Sequence, residues 1–430
     1  VDLPKGAAPT KVPMQFMPTL SIAERDRRWA DLRRRMNEAR IDCLIFMGAD
    51  TFYDMGTANL RYIFHVGGKI VPYGLFFADR DPIVWNSITH TNRPYNFNHS
   101  IQEWVSDIRT FAGMPAIAAE VFAHKLDRSR IGLVSFGSTT SALTMLKTDY
   151  DQLRAALPNA ELVEAGSLLD EMRLIKSEEE IGMLRVAGSI ARKVIDAAMD
   201  CARPGVTEAT LFAEMIRTQI ANGAEPNVFN LFNAGPVEHP ETELWHLLHG
   251  VEQPQVPSMR PLEEGDLILT EYHTKYGGYL CHTEYTMFVG KSPPPELVDL
   301  YKIAAECLDV SQEVLTEGKT LREAWEAIRA PAVKADIDWV ELGFHAMGVG
   351  SPEVPSVVYR EGYGSNALNG HGIGDMVLRE GMCLGNNIDL FNPRWKVDVG
   401  IMLADFMVVR KSGPAELLVN TPRELGLVYD

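Results

Sequence analysis

Apolar and polar positions along the chain follow two rhythms, and the sharper one lies between Gly265 and Phe288, GDLILTEYHTKYGGYLCHTEYTMF. Apolar Leu267–Leu269 gives way to polar residues, Gly277 and Gly278 turn the chain, and Tyr279 opens a return to Phe288. This pattern predicts a β-hairpin. Period-two alternation puts Glu271 and His273 on one face of the first strand, and His282 and Glu284 on one face of the second. Two acids and two imidazoles thus fall within 14 residues of core strand. Buried ionisable groups must be paired, hydrogen-bonded or metal-bound, so the hairpin is the candidate for chemistry.

Helical spacing dominates elsewhere. Residues 1–20 read as an extended arm. Ser21 and Glu24 form a capping box that opens the helix ERDRRWADLRRRMNEAR, with Trp29, Leu32 and Met36 on one side and arginines as a solvated face. Ile41–Met47 reads as a buried strand, with Ala58–Ile63 just beyond. Further strands fall near Gly74–Phe77 and Pro82–Trp85, and a helix spans about Ser141–Leu157, stopped by Pro158. The alternation predicts an α/β domain over 1–168. Ser177 and Glu180 form a second capping box, opening a helix to about Cys201 that Pro204-Gly205 ends. Helices are predicted over Thr207–Ala221, 297–315 and 320–334, with a polar loop at 226–260 and short strands with glycine-rich turns near the C-terminus.

Composition narrows the class. A chain of 430 residues suggests two domains, and 46% apolar with 23% charged residues is ordinary for globular proteins. A formal charge of −17 argues against a nucleic-acid partner. Five scattered cysteines without a CxxC motif fit reduced thiols and a cytoplasmic protein. No apolar run has the length of a membrane span, and no signal-peptide core is apparent at the N-terminus, so no membrane partner is expected.

Several stretches together resemble the creatinase, prolidase and methionine aminopeptidase superfamily. They are Met172–Ile181, Pro261–Ile268, Gly278-Tyr279 with Thr286–Phe288, Phe344–Gly350 with Pro352–Pro355, Gly381–Leu384, and Ser412–Leu418. The resemblance implies an α+β chain: a pita-bread domain over 169–430 behind a smaller α/β creatinase/prolidase-type N-terminal domain. Gly370–Gly374 mimics the histidine motif but falls too close to Gly381 for the expected order.

The superfamily's paired cations are held by two aspartates, a histidine and two glutamates. Carried over by position, these fall on Glu271, His282, His345, Asn387 and Ala404. Ala404 has no donor, and neither His282 nor Asn387 bridges as a carboxylate does, so a dinuclear site is not expected. Glu271, His282 and His345 remain as ligands for one divalent ion, Zn, Fe or Mn. A metal-free site of the creatinase kind is favoured over it; there a loop histidine is the acid/base and glutamates hold a guanidinium substrate. Glu284 matches creatinase's strand glutamate. The 226–260 loop offers His239, His246 and His249, of which His246, beside Trp245, is favoured.

These residues imply an enzyme that hydrolyses a C–N bond in a small non-peptide molecule, with His246, Glu284 and Glu271 as catalytic residues. Ordinary aminopeptidase activity is not expected. Trp245, Arg61, Tyr62, His371 and Asn387 are the substrate-contact candidates, and the resemblance implies a homodimer. The alternatives are a metal-assisted lyase of the dimethylsulfoniopropionate lyase kind and a non-catalytic peptide-binding module.

Overall fold

Ser21 Oγ accepts the Glu24 backbone N–H at 3.1 Å and starts helix α1 (Ile22–Ala39) in the computed structural model of the chain. Residues 18–48, 55–66, 73–87, 103–110, 113–136, 145–226, 230–238, 257–351, 353–357 and 373–429 are described. They fall into two units, Val1–Leu174 with Val349–Ser351, and Ile175–Gly348 with Pro352–Asp430.

In the first unit α1 buries Trp29, Leu32 and Met36, as its spacing predicts. One of its arginines departs from the expected solvated face. Arg28 is fully buried, 2.7 Å from Glu24 Oε1, with Nη1 donating to Tyr62 O at 2.8 Å and its guanidinium 4.0 Å from the Tyr62 ring centre. Aromatic stacking and two oxygen acceptors replace water around this weakly hydrated cation.

Strand β1 (Cys43–Met47) lies at the centre of a six-stranded sheet. One side of it carries β2 (Tyr73–Phe77), β3 (Ile83–Ser87) and β4 (Asp107–Thr110); the other carries β5 (Arg130–Leu133) and β6 (Glu161–Glu164). Ala58–Ile63 belongs to helix α2 (Met55–Phe64). Cys43, Ile45 and Met47 pack into a core with Leu75, Trp85 and Ile117 of α3 (Met114–Ala123) and Leu153 of α4 (Lys147–Ala156). The sequence pattern did not reveal α3, whose alanines give little polar contrast, and α4 starts later than the expected Ser141. Helix α5 (Gly166–Arg173) closes the unit.

The second unit begins with the predicted capping box. Ser177 Oγ accepts from Glu180 N and the Glu180 carboxylate accepts from Ser177 N, opening α6 (Glu178–Cys201). Helices α7 (Glu208–Ala221), α8 (Pro295–Val314) and α9 (Leu321–Lys334) follow, α9 with a full capping box at Thr320. Gly188 lets α6 approach the C-terminal segment: a Cβ there would lie 2.3 Å from Leu418 O. Gly188→Ala should therefore destabilise the protein by about 1–3 kcal/mol through overpacking. An unchanged thermal midpoint would refute that close packing.

The second sheet runs β11 (Glu353–Val357), β10 (Asp338–Ala346), β12 (Cys383–Asn392), β13 (Lys396–Val408), β9 (Tyr279–Val289), β8 (Asp266–Tyr276), β7 (Asn230–Pro236). Two short strands, β14 (Glu416–Leu417) and β15 (Gly426–Val428), add to β13 and β9. The C-terminal strands are longer than expected: β12 has 10 residues and β13 has 13. The predicted hairpin is β8–β9, closed by Gly277 at φ 58° and Gly278 at φ 88°. Two left-handed residues make the tight turn whose twist suits paired strands, and glycine occupies both without a Cβ penalty. Tyr272 and Tyr285 face the helices, against Phe212 of α7 and Tyr301 of α8. Glu271, His273, His282 and Glu284 therefore share the other face. Among the described residues, no helix is long and apolar enough to cross a membrane.

Candidate active site

Strand register sets the site out in rows on that second face. Glu271 pairs with Glu284, Glu284 with Ala404, Ala404 with Asn387 and Asn387 with Gly343, so one row crosses β8, β9, β13, β12 and β10. On one side of this row, His273 pairs with His282 and His345 pairs with Gly385. On the other side, Glu341 pairs with Asp389. Imidazoles thus flank the middle row on one edge and carboxyls on the other. Where the middle row is thinnest, at Ala404, Asn387 Nδ2 reaches across to Glu284 Oε1 at 3.0 Å and also donates to Glu341 Oε2 at 2.9 Å.

The imidazole side is compact. His273 Nε2 lies 3.1 Å from Glu271 Oε1, and His282 Nε2 lies 3.4 Å from the same oxygen and 3.3 Å from Glu284 Oε1. The His282 ring sits 5.3 Å from that of His273 and 5.4 Å from that of His345. Gly385 makes room for it, since a Cβ there would meet His282 Nδ1 at 3.0 Å. His282 is fully buried, and neither ring nitrogen has a hydrogen-bond partner. Nε2 keeps only the two long carboxylate contacts and Nδ1 has none, so the buried ring offers donor atoms to a ligand.

Electrostatics separate the groups. Burial raises the Glu271 carboxyl, but His273, which hydrogen-bonds it, and nearby His282 overcome this and hold it well below the ordinary carboxylate range. Glu284 goes the other way: burial, then the charges of Glu271 and Glu341, push it well up against the pull of its hydrogen bonds. Burial and the charges of Glu284 and Glu341 likewise push Asp389 well up. Adjacent buried acids of this kind retain a proton between them when no cation is present. Burial, then His282 and His273, bring His345 down to about 3, so its imidazole is neutral at physiological pH.

One carboxylate oxygen of Glu271 and one nitrogen each of His273 and His282 lie within 4.8 Å of one another. This donor set suits one divalent ion, and the orphaned nitrogens of His282 fit the same role. His273 thus joins Glu271 and His282 in the tight group, while expected ligand His345 stands beside it. The structure brings Glu271, Glu284, His282, His345 and Asn387 together. Trp245, His246, His371, His239 and His249 lie outside the described residues. Arg61 and Tyr62 belong to α2 of the other unit, where Tyr62 is buried with its hydroxyl donating to Met172 O at 3.1 Å. Asp389 and Glu341 were missed, although Asp389 stands two positions beyond Asn387 on the same face. An open cleft of about 1060 Å³ between α6 and α7, lined by residues such as Lys193, Asp200 and Arg217, carries none of these groups.

Comparison with known proteins gives the family and the fold. The family model for Metallopeptidase family M24 matches residues 182–411. An Xaa-Pro dipeptidase of Lactobacillus helveticus is 25% identical over 285 residues, 65% of this chain and 69% of that protein. An ectoine hydrolase of Halomonas elongata is 25% identical over 281 residues, 64% of this chain and 65% of that protein. Among solved structures, an Xaa-Pro dipeptidase from Bacillus anthracis superposes with a TM-score of 0.71 at 21% identity, covering 94% of this chain and all (100%) of that one.

Proposed function

Since the chain belongs to metallopeptidase family M24 and has its two-domain pita-bread fold, we propose that this hydrolase cleaves a C–N bond in a small non-peptide substrate rather than an Xaa-Pro peptide. The observation that carries this reading is the make-up of the converging donors. One carboxylate and two imidazoles suit a single cation, whereas a two-cation clamp needs carboxylates that bridge. Asn387 offers an amide and Ala404 a methyl group where the resemblance puts two glutamates. The named relatives include an ectoine hydrolase as well as peptide hydrolases, which is compatible with either substrate.

Glu271, His273 and His282 would hold the ion, with neutral His345 beside them. When bound, such an ion makes a water molecule acidic near neutral pH and polarises a substrate carbonyl or its nitrogen analogue. The chain's own residues do the rest. Glu284, deep in the sheet and raised in pKa, gives up or takes a proton at Oε2. Its neighbours Asn387 and Asp389 fix the carboxyl in place. We assign His246, which precedes β8 in the sequence, to protonation of the departing nitrogen. A homodimer remains part of this proposal.

Elemental analysis of the purified protein, with hydrolysis assayed before and after chelation, tests the reading. We expect at most about one Zn, Fe or Mn per chain. We also expect turnover of an amide, amidine or guanidine substrate to exceed that of Xaa-Pro dipeptides. Two ions per chain with efficient Xaa-Pro cleavage would replace this reading with ordinary dipeptidase activity.

A further inference from the structure

His273 stands just past the point where its strand loses a neighbour. Glu271 has Leu231 of β7 on one side and Glu284 of β9 on the other. β7 begins at Asn230, opposite Tyr272, so among the described residues only β9 pairs with His273, through His282. Side chains take over the ladder there. The His273 backbone N–H donates to Asn230 Oδ1 at 3.1 Å, and its backbone carbonyl accepts from Gln219 Nε2 of α7 at 3.4 Å. The same Gln219 amide donates to Thr274 Oγ1 at 3.2 Å. Further along, Glu225 N donates to Lys275 O at 2.7 Å, and Glu225 Oε1 accepts from Gly278 N at 2.7 Å.

These contacts are dry: Gln219 is 1% exposed, His273 2% and Asn230 8%. A buried peptide group needs a partner, and where no strand runs alongside, a side chain of the right length supplies one. The placement also matters for chemistry. An imidazole turns on only two torsions, so its ring nitrogens go where the peptide carries them, and ligation tolerates errors of only about 0.2 Å. We infer that Asn230 and Gln219 are positioning residues for His273. They fix its peptide so that Nε2 stays 3.1 Å from Glu271 Oε1, with the ring 5.3 Å from that of His282. Helix α7, which packs behind the sheet, thus acts on the cluster through the backbone of β8. The inference rests on the reading of Glu271, His273 and His282 as ligands of one divalent ion.

Cobalt(II) chloride titrated into the metal-stripped full chain, and followed by its visible absorption, tests this. Asn230→Leu removes the acceptor and should weaken cobalt binding by about ten-fold or more, with an altered spectrum as His273 leaves the coordination shell. Asn230→Asp keeps an acceptor in place and should bind within about three-fold of wild type, with the wild-type spectrum. Gln219→Met keeps the length and loses the donor. It should also weaken binding, and it carries the test if Asn230→Leu, checked by circular dichroism, does not fold. Gly188→Ala, which loosens the packing of α6 on the C-terminal segment, should keep wild-type affinity; a loss there would make general destabilisation the cause and overturn the inference. Wild-type affinity in both Asn230→Leu and Gln219→Met would overturn it and leave the single-ion reading in place. So would equal losses in Asn230→Leu and Asn230→Asp, since packing and not the acceptor would then matter. A wild-type chain that binds no cobalt would overturn the single-ion reading and this inference together.

Discussion

His282→Ala is expected to remove divalent metal from the protein and to lower kcat/KM on any substrate the wild type turns over by at least about a thousand-fold. His282 stands where the two sides of the site meet. Its Nε2 is within 3.4 Å of both Glu271 and Glu284, and its ring lies between those of His273 and His345. Without the imidazole, the Glu271 and Glu284 carboxyls lose the ring nitrogen that both approach. Two independent readouts separate a ligand from a packing residue: metal per chain by elemental analysis, and turnover. A variant that keeps its metal and hydrolyses within ten-fold of wild type would take His282 out of the centre.

Lys176→Met should cost the second unit about 3–5 kcal/mol, because it removes the ammonium that pairs with a buried carboxylate. Lys176 Nζ lies 2.9 Å from Glu353 Oε2, with 1% and 2% of the two side chains exposed. Gly348 fits against the pair so closely that a Cβ would come within 2.9 Å of Lys176 Cε and 3.0 Å of Glu353 Oε2. The same glycine's carbonyl accepts from Leu280 N at 2.7 Å, and Lys176 N donates to Gly381 O at 2.9 Å. The pair therefore ties the turn after His345 to the start of β9, just ahead of His282. The double variant Lys176→Met/Glu353→Leu should recover most of the loss, since two apolar groups leave no buried charge unpaired. Urea midpoints equal in the single variant and wild type would show that the ion pair contributes nothing.

What the sequence revealed and what it hid follow the range of the interactions involved. The capping box at Ser177 and the cap at Ser21 are hydrogen bonds between residues three positions apart, so a local reading finds them, although the Glu24 carboxylate bonds Arg27 and Arg28 rather than completing the box expected at Ser21. The β8–β9 hairpin is also local, with a two-residue turn and clear alternation, and it carried four site residues correctly to one face. The acidic edge is different. Asn387 and Glu284 meet across 103 positions, and Asp389 faces Glu341 only because β10 and β12 pair in one register. No spacing in the sequence encodes that pairing. Arg28 was misread for a similar reason: its acceptor, Tyr62 O, lies 34 residues away.

The Gly277-Gly278 turn does more than close a hairpin. It fixes which residues stand opposite one another, and a shift of one residue along β8 would swing Glu271 and His273 around to the helices. There they would meet Phe212 and its apolar neighbours with no partner for their charge, at a cost of several kcal/mol. The polar groups that serve chemistry in the native sheet thus also proofread its assembly. A misregistered chain is rejected energetically by the same side chains that a correctly aligned one uses.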